Sequence, residues 1–429
     1  MKYMNIVFIL LILCSCNKDG VYTPVKTQCI YNCDTPRYQV VWQAPIFIDS
    51  SSNECTIPYL NGNIILIPHD PVSYSEPGNA ILAGFNKNTG KRIFDWNSYS
   101  HIKGASVTSN SVSQIKDKII LNPTDDQNIF AIDFSTGKTV WSTTIVDGSG
   151  FPRISSFGDF VYQIRNKNNQ RENYLMRANI NSGVWDTIYK VVNNDKRLDI
   201  EPPYGWINPD KDTVLIFQNR YVSQTYGGGD GLDIYAYNLN KKKEEFILRN
   251  IDFYGSATSV EPPVISNNKL YFMGTRIVYC INLLTGIIEW QKEFHDSFSF
   301  GSLVIAEEKL FVKTDNESLY AINLQDGNII WQSTGDYGSS CSPMVYYNGY
   351  LYYTGAVKSG GLFVIDAASG KIIWNVRSIN EFATPLNNFK VRGSSFSRGF
   401  GIGGVTIDPE QNCMFVSDNC YLMCIKLPK

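Results

Sequence analysis

The chain has 429 residues, with 38 Lys and Arg against 40 Asp and Glu, a formal net charge of −2 and interspersed signs. That balance supplies no basic field for a nucleic-acid backbone and argues against such a partner. Aromatic residues make up 13% and glycines number 33, while no apolar stripe of helical period stands out, so an all-β chain is expected.

Residues 1–15 carry one early charge, Lys2, and then the apolar run from Ile6 to Leu13. The run is too short to span a bilayer as a helix and reads as an export signal. Leu13-Cys14-Ser15-Cys16 resembles a bacterial lipobox, which implies that Cys16 is the acylated first residue of a mature lipoprotein; an ordinary signal with a chance cysteine is the alternative. Residues 16–38 form a polar tether. Asn17-Lys18-Asp19 does not resemble the aspartate-led signal for inner-membrane retention, and is similar to the charged surface-export signals of some Gram-negative lipoproteins. An outer-membrane lipoprotein, periplasmic or surface-facing, is therefore expected.

The remainder, 39–429, repeats one hairpin. Its fullest copy is Ala131-Ile132-Asp133-Phe134-Ser135-Thr136-Gly137-Lys138-Thr139-Val140-Trp141: an alternating strand, a turn whose glycine can take positive φ, and a return strand ending in a large aromatic. Further copies begin at Gly84, Arg177, Ala236, Cys280, Ala321 and Val364, roughly 40 to 60 residues apart. An eighth is split: Tyr421-Leu422-Met423-Cys424-Ile425 supplies its first strand, and Gln39-Val40-Val41-Trp42 is placed to supply the return strand and close a ring, removing two sheet edges. Between hairpins the sequence reads as two more strands, as in Val260 to Ile265 and Leu270 to Met273. Four strands per unit and eight units predict an eight-bladed β-propeller of four-stranded blades, in which each unit packs only on its neighbours.

The pattern A-x-D-x-x-T-G-K-x-x-W resembles the repeat of the PQQ-like β-propeller family, which includes quinoprotein dehydrogenases and the outer-membrane assembly lipoprotein BamB. The resemblance covers 39–429. It implies that the aromatics and glycines of the repeat dock neighbouring blades: Trp42, Phe94, Trp141, Trp290, Trp331 and Trp374 with Gly90, Gly137, Gly286, Gly327 and Gly370. It leaves function open, because these residues are structural in both branches.

The quinoprotein branch needs pyrroloquinoline quinone with calcium, a catalytic Asp, and in that family adjacent cysteines over the quinone. This chain has no Cys-Cys pair and no grouping of Asp, Asn and Glu that reads as a calcium cage, so no cofactor is expected unless the enzyme reading holds. The three histidines, His69, His101 and His295, stand alone in their segments and point to no metal or triad site. Gly227 to Gly231 reads as a blade loop rather than a phosphate cradle, since no helix follows it. Lys241 to Glu245 reads as a solvated hairpin tip. Among the cysteines, Cys413 and Cys424 lie on successive strands of the last unit and are a candidate disulfide in an exported protein, with Cys29 and Cys33 as a weaker pair.

Function is expected where the repeats differ. Insertions at 68–80, 189–226 and 377–401 fall in connections that share one face of a propeller. They carry Tyr74, Tyr204, Trp206, Arg220, Tyr221, Tyr226, Arg392, Phe396, Arg398 and Phe400, residue types enriched at binding hot spots. Truncation of Trp206, read as a loop residue, is expected to leave stability nearly intact. The reading is a non-catalytic, monomeric, lipid-anchored scaffold that binds an envelope protein, an extended polypeptide or a glycan. The alternative is an enzyme, either a PQQ-dependent dehydrogenase or a sugar-processing propeller.

Overall fold

The computed structural model describes residues 38–46, 56–69, 80–99, 107, 111–123, 128–144, 153–167, 171–193, 197–222, 229–252, 262–298, 301–315, 318–334, 342–355, 361–379, 403–418 and 420–428. The signal, Cys16, the tether up to residue 37, Cys29 and Cys33 lie outside them. The described residues form eight antiparallel sheets and no α-helix. In six sheets four strands follow one another in chain order, and in a seventh, of five strands, two inner pieces both pair with the long strand that follows them. The eighth pairs Val405–Asp408, Cys413–Ser417 and Tyr421–Lys426 with the N-terminal strand Val40–Pro45, in a register running from Val40 opposite Ile425 to Pro45 opposite Tyr421.

The second and third strands of most blades are apolar and buried on both faces, each face against a different neighbour, whereas the fourth strands alternate exposed and partly buried residues. Eight clusters of buried side chains result, one between each pair of adjacent sheets. The cluster of Ile65, Ile67 and Phe85 with Phe415, Leu422 and Ala44 joins the last sheet to the first. The sheets are therefore blades of a closed eight-bladed propeller, numbered below from the sheet that begins at Tyr59–Asn61.

Each turn is built by its own side chains. Asp133 Oδ1 accepts hydrogen bonds from the backbone N–H groups of Ser135 (3.1 Å) and Thr136 (2.8 Å) and from both hydroxyls; Asn86, Asn282 and Asp366 repeat the arrangement. These bonds hold the Asp133 and Asp366 carboxyls below the usual carboxylate range. Gly137 then turns at φ +68°, where its missing side chain leaves room for the Phe94 ring of the preceding blade. A Cβ on Gly137 would stand 2.2 Å from that ring. Trp42 lies in the same way on Gly90, Trp141 on Gly183, Phe246 on Gly286, Trp290 on Gly327 and Trp331 on Gly370. The indole N–H groups of Trp42, Trp141, Trp290 and Trp331 donate to turn carbonyls of the next blade at 2.8 to 3.2 Å.

Two junctions depart from this plan. Between blades 3 and 4 the glycine is replaced by Lys242 at φ +51°; Tyr189 packs on Tyr237 with ring centroids 4.7 Å apart and donates to Glu244 at 2.6 Å. Between blades 7 and 8, Trp374 packs near Tyr38, whose hydroxyl donates to Arg377 O (2.9 Å) and accepts from Ile379 N–H (2.8 Å). The ring's closing junction adds a buried ion pair: the Lys87 ammonium of blade 1 lies 3.0 Å from Asp408 and 2.8 Å from Glu410 of blade 8.

Cys413 and Cys424 are free thiols and not a disulfide. They share a face but are diagonal neighbours, Cys413 lying opposite Lys426 and Cys424 opposite Phe415. Their mutual hydrogen bond holds the Cys413 thiol below and the Cys424 thiol above the ordinary range.

Gly137→Val is expected to lower unfolding free energy by about 2–5 kcal/mol, through backbone strain at positive φ and the clash with Phe94; urea denaturation indistinguishable from wild type would remove the turn assignment. Asp133→Asn tests the acid side. Because folding lowers the Asp133 pKa from 3.8, its contribution is present above that value and fades as pH falls through the folded pKa. Wild type should thus lose stability more steeply than the variant below about pH 4, with near-equal melting at pH 7, since sibling turns use Asn.

Candidate functional site

Antiparallel order places the turns joining first to second and third to fourth strands at one end of every blade. The second-to-third connections and the blade-to-blade connections fall at the other end. Most blades stop soon after the hairpin's alanine level at that second end. In blade 6 the third strand begins at Ser318, three residues before Ala321, whereas in blade 3 it begins at Glu172, five before Arg177 at the same level, and in blade 4 at Gly229, seven before Ala236. Among the described residues the strands of blades 3 and 4 therefore run longer at this end by two and four residues, roughly 7–14 Å.

Strand-forming residues continue where other units turn. The second strand of blade 4, Thr213–Val222, is apolar through Phe217, polar through Gln218-Asn219-Arg220, and then regains strand character at Tyr221-Val222. Its inner partner is split into Arg197–Ile200 and Tyr204–Ile207 by Glu201-Pro202-Pro203, and both pieces pair with it. The prolines, which cannot donate to a ladder, mark the break.

Charges at this end are paired and partly sheltered. Arg153 of blade 3 and Arg220 of blade 4 converge on Glu201, the latter at 3.7 Å, so the carboxylate ties the two blades together. Asp233, fully buried, accepts from the Tyr221 hydroxyl (2.5 Å), Arg249 (3.1 Å) and the backbone N–H of Asn250 (2.9 Å). Burial, reinforced by Asp233, pushes the Tyr221 phenol well above its ordinary range, so it stays protonated. On the flank of blade 3, Lys167 and Lys190 face the Tyr174 ring at 5.5 and 5.0 Å, and Lys190 pairs with Glu172 at 2.7 Å. Aromatic rings between paired charges suit recognition of a macromolecular surface. Among the described residues no group of three or more His, Cys, Asp or Glu is placed to hold a metal.

The structure redistributes the sequence-predicted residues. Segment 189–226 is not mainly a connection: it contains the end of blade 3's outer strand and the first two strands of blade 4. Tyr204 and Tyr221 are half-buried on these strands, and Arg220 is 15% exposed. Trp206 is corrected from a loop to a core residue, because it lies opposite Val214 and packs with Ile216, Leu270 and Phe272 between blades 4 and 5. Tyr74, Tyr226, Arg392, Phe396, Arg398 and Phe400 lie outside the described residues. Sequence reasoning missed Arg153, Glu201, Asp233 and Arg249; the only available signal was the return of strand character at Tyr221-Val222.

The family model described as outer membrane protein assembly factor BamB matches residues 18–216 and 240–389. Among solved structures the chain is similar to BamB from Moraxella catarrhalis, at 13% identity and a TM-score of 0.56 over 91% of this chain and 98% of that one. It is similar to Chaetomium thermophilum Sqt1 bound to the N-terminus of ribosomal protein L10, at 10% identity and a TM-score of 0.59 over 91% and 100%. A europium-containing methanol dehydrogenase gives 12% identity and a TM-score of 0.54 over 88% and 84%. No curated protein matches the sequence. At these identities the structural likeness establishes the fold.

Trp206→Ala should cost about 3–5 kcal/mol of stability by opening a core cavity, measured by denaturant unfolding; a change below about 1 kcal/mol would contradict its placement between blades 4 and 5. Tyr221→Phe, which strips Asp233 of one donor, should cost about 1.5–3 kcal/mol in the same assay.

Proposed function

The chain belongs to the BamB family of propellers, and from that premise we propose that it is a non-catalytic scaffold of the cell envelope. It is held at the outer membrane by lipid on Cys16 and docks a protein partner of outer-membrane assembly on the tall ends of blades 3 and 4. The observation that carries this reading is the asymmetry of the ring. Among the described residues the strands of two adjacent blades run longer than those of the others and present Tyr174, Lys190 and Arg249 on their flanks. A raised surface with aromatic centres and charged rims gives one face a distinct docking position on an otherwise repetitive body. The family is described as an outer-membrane protein assembly factor, and Sqt1 was solved holding a polypeptide terminus; both support protein binding as the use of such a face.

Photo-crosslinkers placed at Lys190 and at Arg249, with a control at Gly62 in the opposite end's turns, test the reading in intact cells. Capture of an outer-membrane barrel or its assembly machinery from the first two positions and not from Gly62 is expected. Equal capture from Gly62, or none from either tall blade, would sink it. Cys16→Ser should release the protein from the membrane fraction and abolish labelling by a fatty-acid analogue; persistence of both would refute the anchor. A quinone chromophore retained after reconstitution with pyrroloquinoline quinone and Ca²⁺ would replace the scaffold with the dehydrogenase.

A further inference from the structure

Among the described residues the fourth strand of every blade is an open sheet edge, and natural proteins blunt such edges with charge or proline. The outer strands of blades 1, 3, 4, 5 and 7 each carry charged residues, and that of blade 8 ends in Pro45. Thr139–Thr144 of blade 2 and Ile329–Thr334 of blade 6 carry neither device. Blade 6 differs from blade 2 in what lies beside its edge. Three residues before the docking aromatic the repeat has Gln39, Lys91, Lys138, Lys243, Asn328 or Lys371, but blade 5 has Ile287, 62% exposed. Ile288 pairs with Ile281 on the face toward blade 4, and the bulge at Glu289 leaves Ile287 on the Trp290 face, turned to blade 6. From the other side Ile329, 40% exposed, lies opposite Ile322 on the face turned to blade 5. Ile330, 48% exposed, is the bulge residue of the edge itself. The groove between blades 1 and 2 has Lys91 and Thr139 at the matching places.

We propose that the outer edge of blade 6 takes up an extended, uncharged polypeptide strand, which pairs with Trp331 to Thr334 and lays apolar side chains into the groove between Ile287 and Ile329. Past the bulge, these four residues pair one by one with Ala321 to Ser318, so the edge is regular where the strand would add. An edge presents N–H and C=O groups in a line, a layout that another strand matches. Charge complementarity narrows the partner. The exposed side chains here are Ile329, Ile330, Gln332 and Thr334, none of which could pair with a charge that lost its water. Alternation along the incoming strand puts every second side chain toward the groove, so the fitting sequence alternates apolar with uncharged polar residues, the pattern of a membrane-barrel strand. This site is separate from the docking surface of blades 3 and 4 and does not depend on it.

The test is fluorescence anisotropy of the purified protein with a fluorescein-labelled decapeptide of alternating Val and Thr, and with a counterpart carrying Pro at a central Val. Wild type is expected to bind the first saturably and the second about tenfold or more weakly, because Pro removes a ladder donor. The double variant Ile287→Lys, Ile329→Thr should lose roughly tenfold or more in affinity. It should melt as wild type does, since both substitutions install residues that sibling blades carry. Val140→Lys on the blade 2 edge should bind within twofold of wild type. No binding by wild type, equal binding of the Pro peptide, or affinity of the double variant within twofold of wild type overturns the proposal. Self-association that the double variant abolishes, without peptide binding, would assign the groove to a second copy and also overturn it. Crosslinking from Lys190 reads the other surface separately, and is expected to persist in the double variant.

Discussion

The structure depends on an aromatic ring of one blade occupying the space that a glycine leaves in the turn of the next. The contact is short-range and dry, and it is directional, since the ring always comes from the outer strand of the preceding blade. At Gly137 the approach is possible only because no Cβ stands in the way of Phe94. Six of the eight junctions carry this contact, and each fixes how two neighbouring sheets pack. The indole N–H bonds to turn carbonyls add orientation, which a purely hydrophobic contact would lack.

Where that contact is missing, the ring uses other chemistry. The junction of blades 3 and 4 relies on Tyr189 against Phe217, Tyr235 and Tyr237, on the Tyr189 bond to Glu244, and on Glu201 bridging Arg153 and Arg220. It is also the junction where the described strands run longer and where Asn173, Asn219 and Asp233 are buried. A site that departs from the repeat's packing rule is where function is expected to have displaced stability. The closing junction departs in the opposite direction: Lys87, Asp408 and Glu410 strengthen the one seam whose two sides come from opposite ends of the chain.

A propeller with a uniform body and one irregular sector separates two roles. The junctions from blade 4 round to blade 7 and from blade 8 round to blade 3 hold their turns and rings in nearly the same arrangement, so substitutions there act on the whole circle. The raised sector of blades 3 and 4 can vary in its flanks without disturbing the closure. That division suits a scaffold, in which binding geometry rests on a rigid frame and its specificity on a few side chains of long strands.

Local pattern alone determined the repeat, the turn chemistry and the split last blade. Alternating residues, a turn side chain that binds its own backbone and a glycine at positive φ are consequences of neighbours in the chain. What only the tertiary structure decided concerns neighbours in space. Trp206 read as a loop aromatic because Pro202-Pro203 precede it, yet pairing with Thr213–Val222 turns it into the core between blades 4 and 5. Arg220 and Tyr221 read as loop residues because Gln218-Asn219-Arg220 interrupts the apolar run, yet both remain on a strand whose partners extend with it. Cys413 and Cys424 suggested a bridge from spacing, but register places them diagonally. The buried Asn173 and Asn219 had no signature in sequence, since each is an unremarkable polar residue until folding puts it on a covered face of its blade.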